Sequence, residues 1–138
     1  MAITGTAAVF LLVGRVLFGG LIAFQGVNHF MNVDQLTGYA DAKGVPAPRV
    51  GVVASGVMLI LGGLSILAGA YATIGAGMVA VFLLVTSPAI HNFWAVAEEQ
   101  TQSEMTDFIK NGELLGAALT FLAISGTEWE YAVGVGLF

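Results

Sequence analysis

The 138-residue sequence contains no cysteine, which excludes disulfides, thiol redox chemistry, thiolate metal sites and covalent haem attachment. Charge is almost as scarce. Only 9% of residues are Asp, Glu, Lys or Arg, where an ordinary soluble domain carries about a quarter. So few charges cannot cover a globule in water. With 57% hydrophobic residues and a mean hydropathy of +0.90, the chain reads as one small integral membrane domain over residues 1–138. Positive charge is rarest, with four Lys and Arg against nine Asp and Glu, a net charge of −5 and no basic cluster, which argues against nucleic acid. A nucleophile–base pair, a phosphate loop and a carboxylate dyad are also missing, and the two histidines lack metal-site spacing, so no metal is assigned.

What the chain does have is long apolar runs, at about residues 7–29, 50–70, 72–92 and 108–125. Each is near the roughly 20 residues that cross about 30 Å of hydrocarbon as a helix. Lipid leaves no water for backbone groups, and the alternation of a barrel strand is absent, so helices are expected. The fold class is therefore all-α, an integral membrane four-helix bundle. The opening "MAITGTAAVFLL" has no basic n-region or clear cleavage site, so its apolar run is taken as the first span. "AGAYAT" makes spans two and three a tight hairpin. In the longer first connection Leu36, Tyr39, Ala40 and Lys43 share a helical face, which predicts a short interfacial helix ended by "GVPAP". Thr101 and Glu104 have capping-box spacing before the fourth helix. Trp129 and Tyr131 suit a headgroup boundary. Glycines along the spans, including the Gly112–Gly116 GxxxG, read as close-packing devices.

The polar residues inside this pattern are the candidate site. Arg15 lies within the first span, where its cost predicts either a buried partner and wet cavity or snorkelling to the surface. Arg15, Ile22 and His29 fall on one stripe with Gln25 at its edge, so Arg15 and His29 are expected to line one elongated pocket. On the third span Leu84, His91 and Glu98 recur every seven residues, and Pro88 frees the carbonyl of Leu84 with Thr86 or Ser87 at hand to soften the loss. Spans one and three run the same way, so Asn28, His29, His91, Asn92 and Trp94 reach one membrane face. Asp107, Lys110, Asn111 and Glu113 join them from the fourth span, with a Lys110–Glu113 pair available. Histidines at this depth suit donation to a polar head such as a quinone carbonyl, which ranks above haem b, and haem above a metal. Lys43, Arg49 and Lys110 all fall on connections one and three, which places both termini outward across the cell membrane in this multi-pass chain.

In order along the chain, "GRVLFGGLIAFQGVNHF", "YADAKGVPAP", "HNFW" and "DFIKNGELLGAAL" resemble the landmarks of the DoxX-like family of small membrane proteins, over most of residues 14–119. The resemblance implies a four-span bundle, kinship with a membrane subunit of a thiosulfate:quinone oxidoreductase, and association with redox enzymes. It points to Arg15, Asn28, His29, His91, Asn92, Trp94, Lys110 and Asn111, while Glu113 departs from the apolar residue expected after "KN-x". Two function classes follow. One is a membrane subunit that binds a quinone or similar amphiphile in a redox or respiratory assembly, an oxidoreductase subunit without its own complete catalytic centre. The other is a non-catalytic scaffold or accessory subunit that docks a partner protein or a second copy of itself. A small-solute carrier with Arg15 on its path ranks below both.

Overall fold

The computed structural model describes residues 1–136. The apolar runs fold into helices, in which every interior amide finds a partner within its own segment. They are α1 (Gly5–Met31), α3 (Pro48–Ala68), α4 (Ala72–Ile90) and α5 (Glu98–Ile124), with the short α2 (Val33–Ala42) in the first connection. A 3-10 turn, Phe93–Ala95, links α4 to α5. The fold is all-α and of membrane type. Among the described residues, α1, α3 and α4 with its following turn are long and apolar enough to cross a membrane. Three of the four expected spans thus meet that length and apolarity. The fourth helix, α5, is 27 residues long, yet its first half carries acids, lysine and amides that lower its apolarity.

Local chemistry sets the ends of these elements. Pro48 opens α3, where a missing N–H costs nothing. Gly69 closes α3 at φ +67, and a Cβ there would collide with that of Ala132. Ser65 Oγ donates to the carbonyls of Ala70 and Tyr71 at 2.5 and 2.9 Å, which ties off the α3–α4 turn. The capping box is a correction: α5 starts at Glu98 behind Ala97, a full turn before Thr101, whose hydroxyl bonds back to the Ala97 carbonyl at 3.4 Å.

Packing depends on close backbone approach. A Cβ on Gly63 would sit 2.5 Å from the Gly19 carbonyl and the Ala23 amide, and one on Gly26 would sit 2.6 Å from the Gly56 carbonyl. These contacts press α1 antiparallel against α3. Gly62 does the same for α4, where its Cβ would meet Gly75 O at 2.9 Å. Ile22, Leu59, Ile66, Val79, Leu83 and Phe121 form the core between them. Phe18 and Phe121 stack at 5.3 Å and bring α5 to α1. Among the described residues Gly112 and Gly116 have nothing within reach, so the α5 GxxxG packs against none of them.

The first residues and the segment 128–136 lie at one end of the bundle. β1 (Ala2–Ile3) pairs in parallel with β2 (Glu128–Trp129), a small sheet that the all-helical expectation did not include. The tail beyond β2 straps the α3–α4 turn through Tyr71 N–H to Val135 O and Val133 N–H to Ala68 O, both 2.8 Å. The α1–α2, α2–α3 and α4–α5 connections gather at the opposite end.

Candidate functional site

Pro88 lies inside α4, and the freed Leu84 carbonyl is not repaid by the neighbouring hydroxyls. Thr86 Oγ1 and Ser87 Oγ donate instead to Phe82 O and Leu83 O, at 2.5 and 2.6 Å. The helix stops two residues later, with His91 as its C-cap. The seven-residue recurrence through His91 to Glu98 is thus broken, because the chain leaves the helix between them. This break turns His91 toward α5.

There it meets Glu104, a carboxylate only 8% exposed. His91 Nδ1–H donates to Glu104 Oε2 at 3.0 Å, and Asp107 Oδ2 lies 3.8 Å from the same nitrogen. The Tyr39 hydroxyl donates to Glu104 Oε1, and Lys43 Nζ stands 3.6 Å from that oxygen and 2.9 Å from Asn92 Oδ1. One carboxylate therefore ties α2, the end of α4 and the start of α5. Burial pushes Glu104 up, but the hydrogen bonds from Tyr39 and His91 and the Lys43 charge outweigh it and hold the group below the usual carboxylate range. Burial, then the bond to Glu104 and the charges of Glu104 and Asp107, pushes the Tyr39 phenol well above its usual range.

Beside this network is a cavity of about 670 Å³. Its walls are mainly apolar, from Leu36, Val45, Val52, Met58, Val81, Phe82, Val85, Ile90 and Leu114. The polar lining is Gln25, His29, Tyr39, His91, Asp107, Lys110 and Asn111 with Ser55 and Thr86. His29 Nδ1–H donates to the Gln25 carbonyl at 2.8 Å, and its ring meets Phe82 edge-on with centroids 6.1 Å apart. Lys110 pairs with Asp107 at 3.5 Å rather than with Glu113. A volume of this size, apolar with a few polar groups on one part of its wall, suits an amphiphile of drug-like size.

Of the residues singled out in the sequence, Gln25, His29, His91, Asp107, Lys110 and Asn111 are brought to this cavity. Five are not, and of these Glu113 is exposed. Asn28 spends its side chain on the α1–α2 junction, accepting from Asn32 Nδ2 at 2.7 Å. Asn92 holds Lys43. Trp94 is 60% exposed, edge-on to Phe93 and Phe108. Arg15 is the largest correction, because it neither shares a pocket with His29 nor snorkels. It is 1% exposed at the other end of the bundle. Its Nη2 donates to Leu67 O at 2.8 Å and Tyr131 O at 3.2 Å, its Nε to Ile66 O at 3.2 Å, and Nη1 to Glu130 O at 3.4 Å. Trp129 covers it at 5.5 Å and so points inward, away from the headgroup boundary expected of it. Arg15 is held by carbonyls of the α3 end and of the tail beyond β2, a signal available only in three dimensions. Glu104 was the residue missed as a site group, although its lone position in a polar stretch gave it little to distinguish it from Glu98 or Glu99.

Long apolar helices around a polar-ended cavity define a multi-pass membrane protein in contact with the lipid bilayer. The DoxX family model matches residues 10–92, more than half of the chain, and the chain belongs to that family. The match takes in His29 and His91 and stops before α5, so Glu104, Lys110 and Asn111 lie outside it. No curated protein and no solved structure matches the chain.

Proposed function

We propose that this protein binds a quinone or a similar amphiphile in the cavity at its polar end and serves as a membrane subunit of a redox or respiratory assembly. The observation that carries the reading is the cavity itself: about 670 Å³, apolar along most of its wall, with His29 and His91 both on its lining. An amphiphile lays its tail along Val81, Val85 and Met58 and its head against the imidazoles, Asn111 and Lys110. Haem b is less well supported. Lys110 is the one permanently basic side chain on the lining among the described residues, against the two propionates a haem carries.

In this reading residues 1–138 form one membrane domain in which α5 is a fourth crossing. Its charged first half sits at headgroup level beside the cavity, and its apolar second half lies in hydrocarbon. Lys43, Arg49 and Lys110 then mark the cytoplasmic face, and both termini face outward. A reporter fused to the C-terminus should be active only outside the cytoplasm. The binding test is a thermal shift of purified protein with a decyl-tailed benzoquinone, given in both redox states. Stabilisation that His29→Ala and His91→Ala each weaken supports the reading, and no stabilisation by either redox state overturns it.

A second reading, docking of a soluble partner protein, is favoured by the solvent-facing start of α5. There the exposed Glu98 and Glu99 lie four and five residues beyond the exposed Trp94. Stoichiometric co-purification from native membrane that survives His29→Ala and is lost on replacing these three residues would support it.

A further inference from the structure

Both imidazoles on the cavity wall have the same nitrogen committed. His29 Nδ1 is 2.8 Å from the backbone carbonyl of Gln25, an acceptor only, so that nitrogen carries the proton. His91 Nδ1 is 3.0 Å from Glu104 Oε2, again an acceptor. In a neutral ring a proton on Nδ1 leaves Nε2 as a bare acceptor. Asp107 Oδ2 stands 3.8 Å from Nδ1 of His91, a second acceptor on that side of the ring. His29 has only a carbonyl beside its Nδ1. What the wall offers from both histidines is therefore an acceptor.

We infer that the cavity recognises a hydroxyl-bearing head, the hydroquinone form of its amphiphile in preference to the quinone form, and that Glu104 is the positioning residue that sets this preference by holding the proton of His91 on Nδ1. This rests on the reading of the cavity as an amphiphile site and names the redox state that fits it. A hydroquinone hydroxyl donates to a bare Nε2, whereas a quinone carbonyl meets that lone pair with its own. The amides of Gln25 and Asn111 serve either form, since each carries a donor and an acceptor, and the Lys110 ammonium is engaged by Asp107 at 3.5 Å. The selection thus falls to the imidazoles. It also reverses the role expected of the histidines from sequence, which was donation to a carbonyl. Glu104 need not touch the ligand to do this. It fixes the tautomer in the way that a carboxylate behind a ligating histidine does.

The experiment is a titration of the purified, detergent-solubilised protein with the decyl-tailed benzoquinone and, separately, with its hydroquinone under reducing, anaerobic conditions. The hydroquinone should bind roughly tenfold tighter, the worth of about one hydrogen bond gained in place of one acceptor left facing another. In Glu104→Gln the amide can donate as well as accept, His91 is free to carry its proton on Nε2, and the ratio of the two affinities should fall toward one. A merely structural role for Glu104 would weaken both forms alike and leave that ratio unchanged. Equal binding of the two forms by the unsubstituted protein, or tighter binding of the quinone, overturns the inference and leaves the amphiphile site standing. Binding of neither form overturns the site and the inference together. Nitrogen-15 spectra of the unsubstituted protein give a second check that needs no folded variant. With only His29 and His91 to resolve, both Nε2 atoms should show the unprotonated signature, and a protonated Nε2 on His91 overturns the role given to Glu104.

Discussion

Arg15 and Glu104 are both charged, both buried, and placed at opposite ends of one bundle, yet the chain accommodates them in different ways. Arg15 is surrounded by backbone. Its donors go to carbonyls of α3 and of the tail, and Trp129 lies over it. Four of its N–H groups are taken up by these carbonyls, and the guanidinium works as a clamp between the N-terminal helix, the end of α3 and the C-terminal strap. Glu104 is surrounded by side chains, namely Tyr39, Lys43 and His91, and of these Tyr39 and His91 border a cavity. Backbone partners fix a charge in place. Side-chain partners can exchange protons or rotate, and so leave chemistry available.

The contrast can be broken most directly at Arg15. Replacing it with alanine leaves the carbonyls it serves without a donor and opens a void under Trp129. Stability should fall by at least about 3 kcal/mol, read as thermal unfolding in detergent by circular dichroism. At temperatures where the variant is still folded, the affinity of the cavity for its amphiphile should not change. A loss of affinity larger than the loss of folded protein would join the two ends functionally and undo the comparison.

Gly63→Ala should cost roughly 1–3 kcal/mol in the same assay, since the added methyl meets backbone atoms of α1 that cannot move aside singly. Glu104→Ala should cost about 2 kcal/mol, as Tyr39 and Lys43 lose their acceptor and His91 its orientation. Tyr39→Phe should cost about 1 kcal/mol and alter how stability depends on pH. Glu104 is held below its ordinary 4.5, so its contribution is complete above that value and is lost as pH falls through the native pKa. Tyr39 is held above its ordinary 10.0, so its contribution is complete below that pH and is lost as pH rises further. Without the phenol, Glu104 loses a bond to its ionised form, and the acid loss should become shallower. The smallest effect is expected at Gly112→Ala and Gly116→Ala, which face nothing and should gain up to about 1 kcal/mol each from helix propensity. A loss there would mean that this face of α5 is covered in the folded protein.

The apolar runs were enough to assign an all-α membrane fold. A composition with so little charge excludes other solvents, and a chain in lipid must close its own hydrogen bonds. The convergence of His29 and His91 was legible too, because an even number of crossings between them returns the chain to the same end. Helical periodicity, by contrast, misplaced what followed it. Arg15 and His29 share a stripe on α1, yet the stripe is long and its two ends meet different neighbours. The His91–Glu98 spacing presupposed a helix that Pro88 and His91 bring to a close.

Which polar atoms find partners was decided only by tertiary structure. Four carbonyls near Arg15 belong to segments 51 to 116 residues away, and the three groups on Glu104 come from segments 13 to 65 residues away. Hydropathy is a sum over neighbours in the chain, so it survives in one dimension. A hydrogen bond depends on the position and direction of two particular atoms, and those are set when the helices pack.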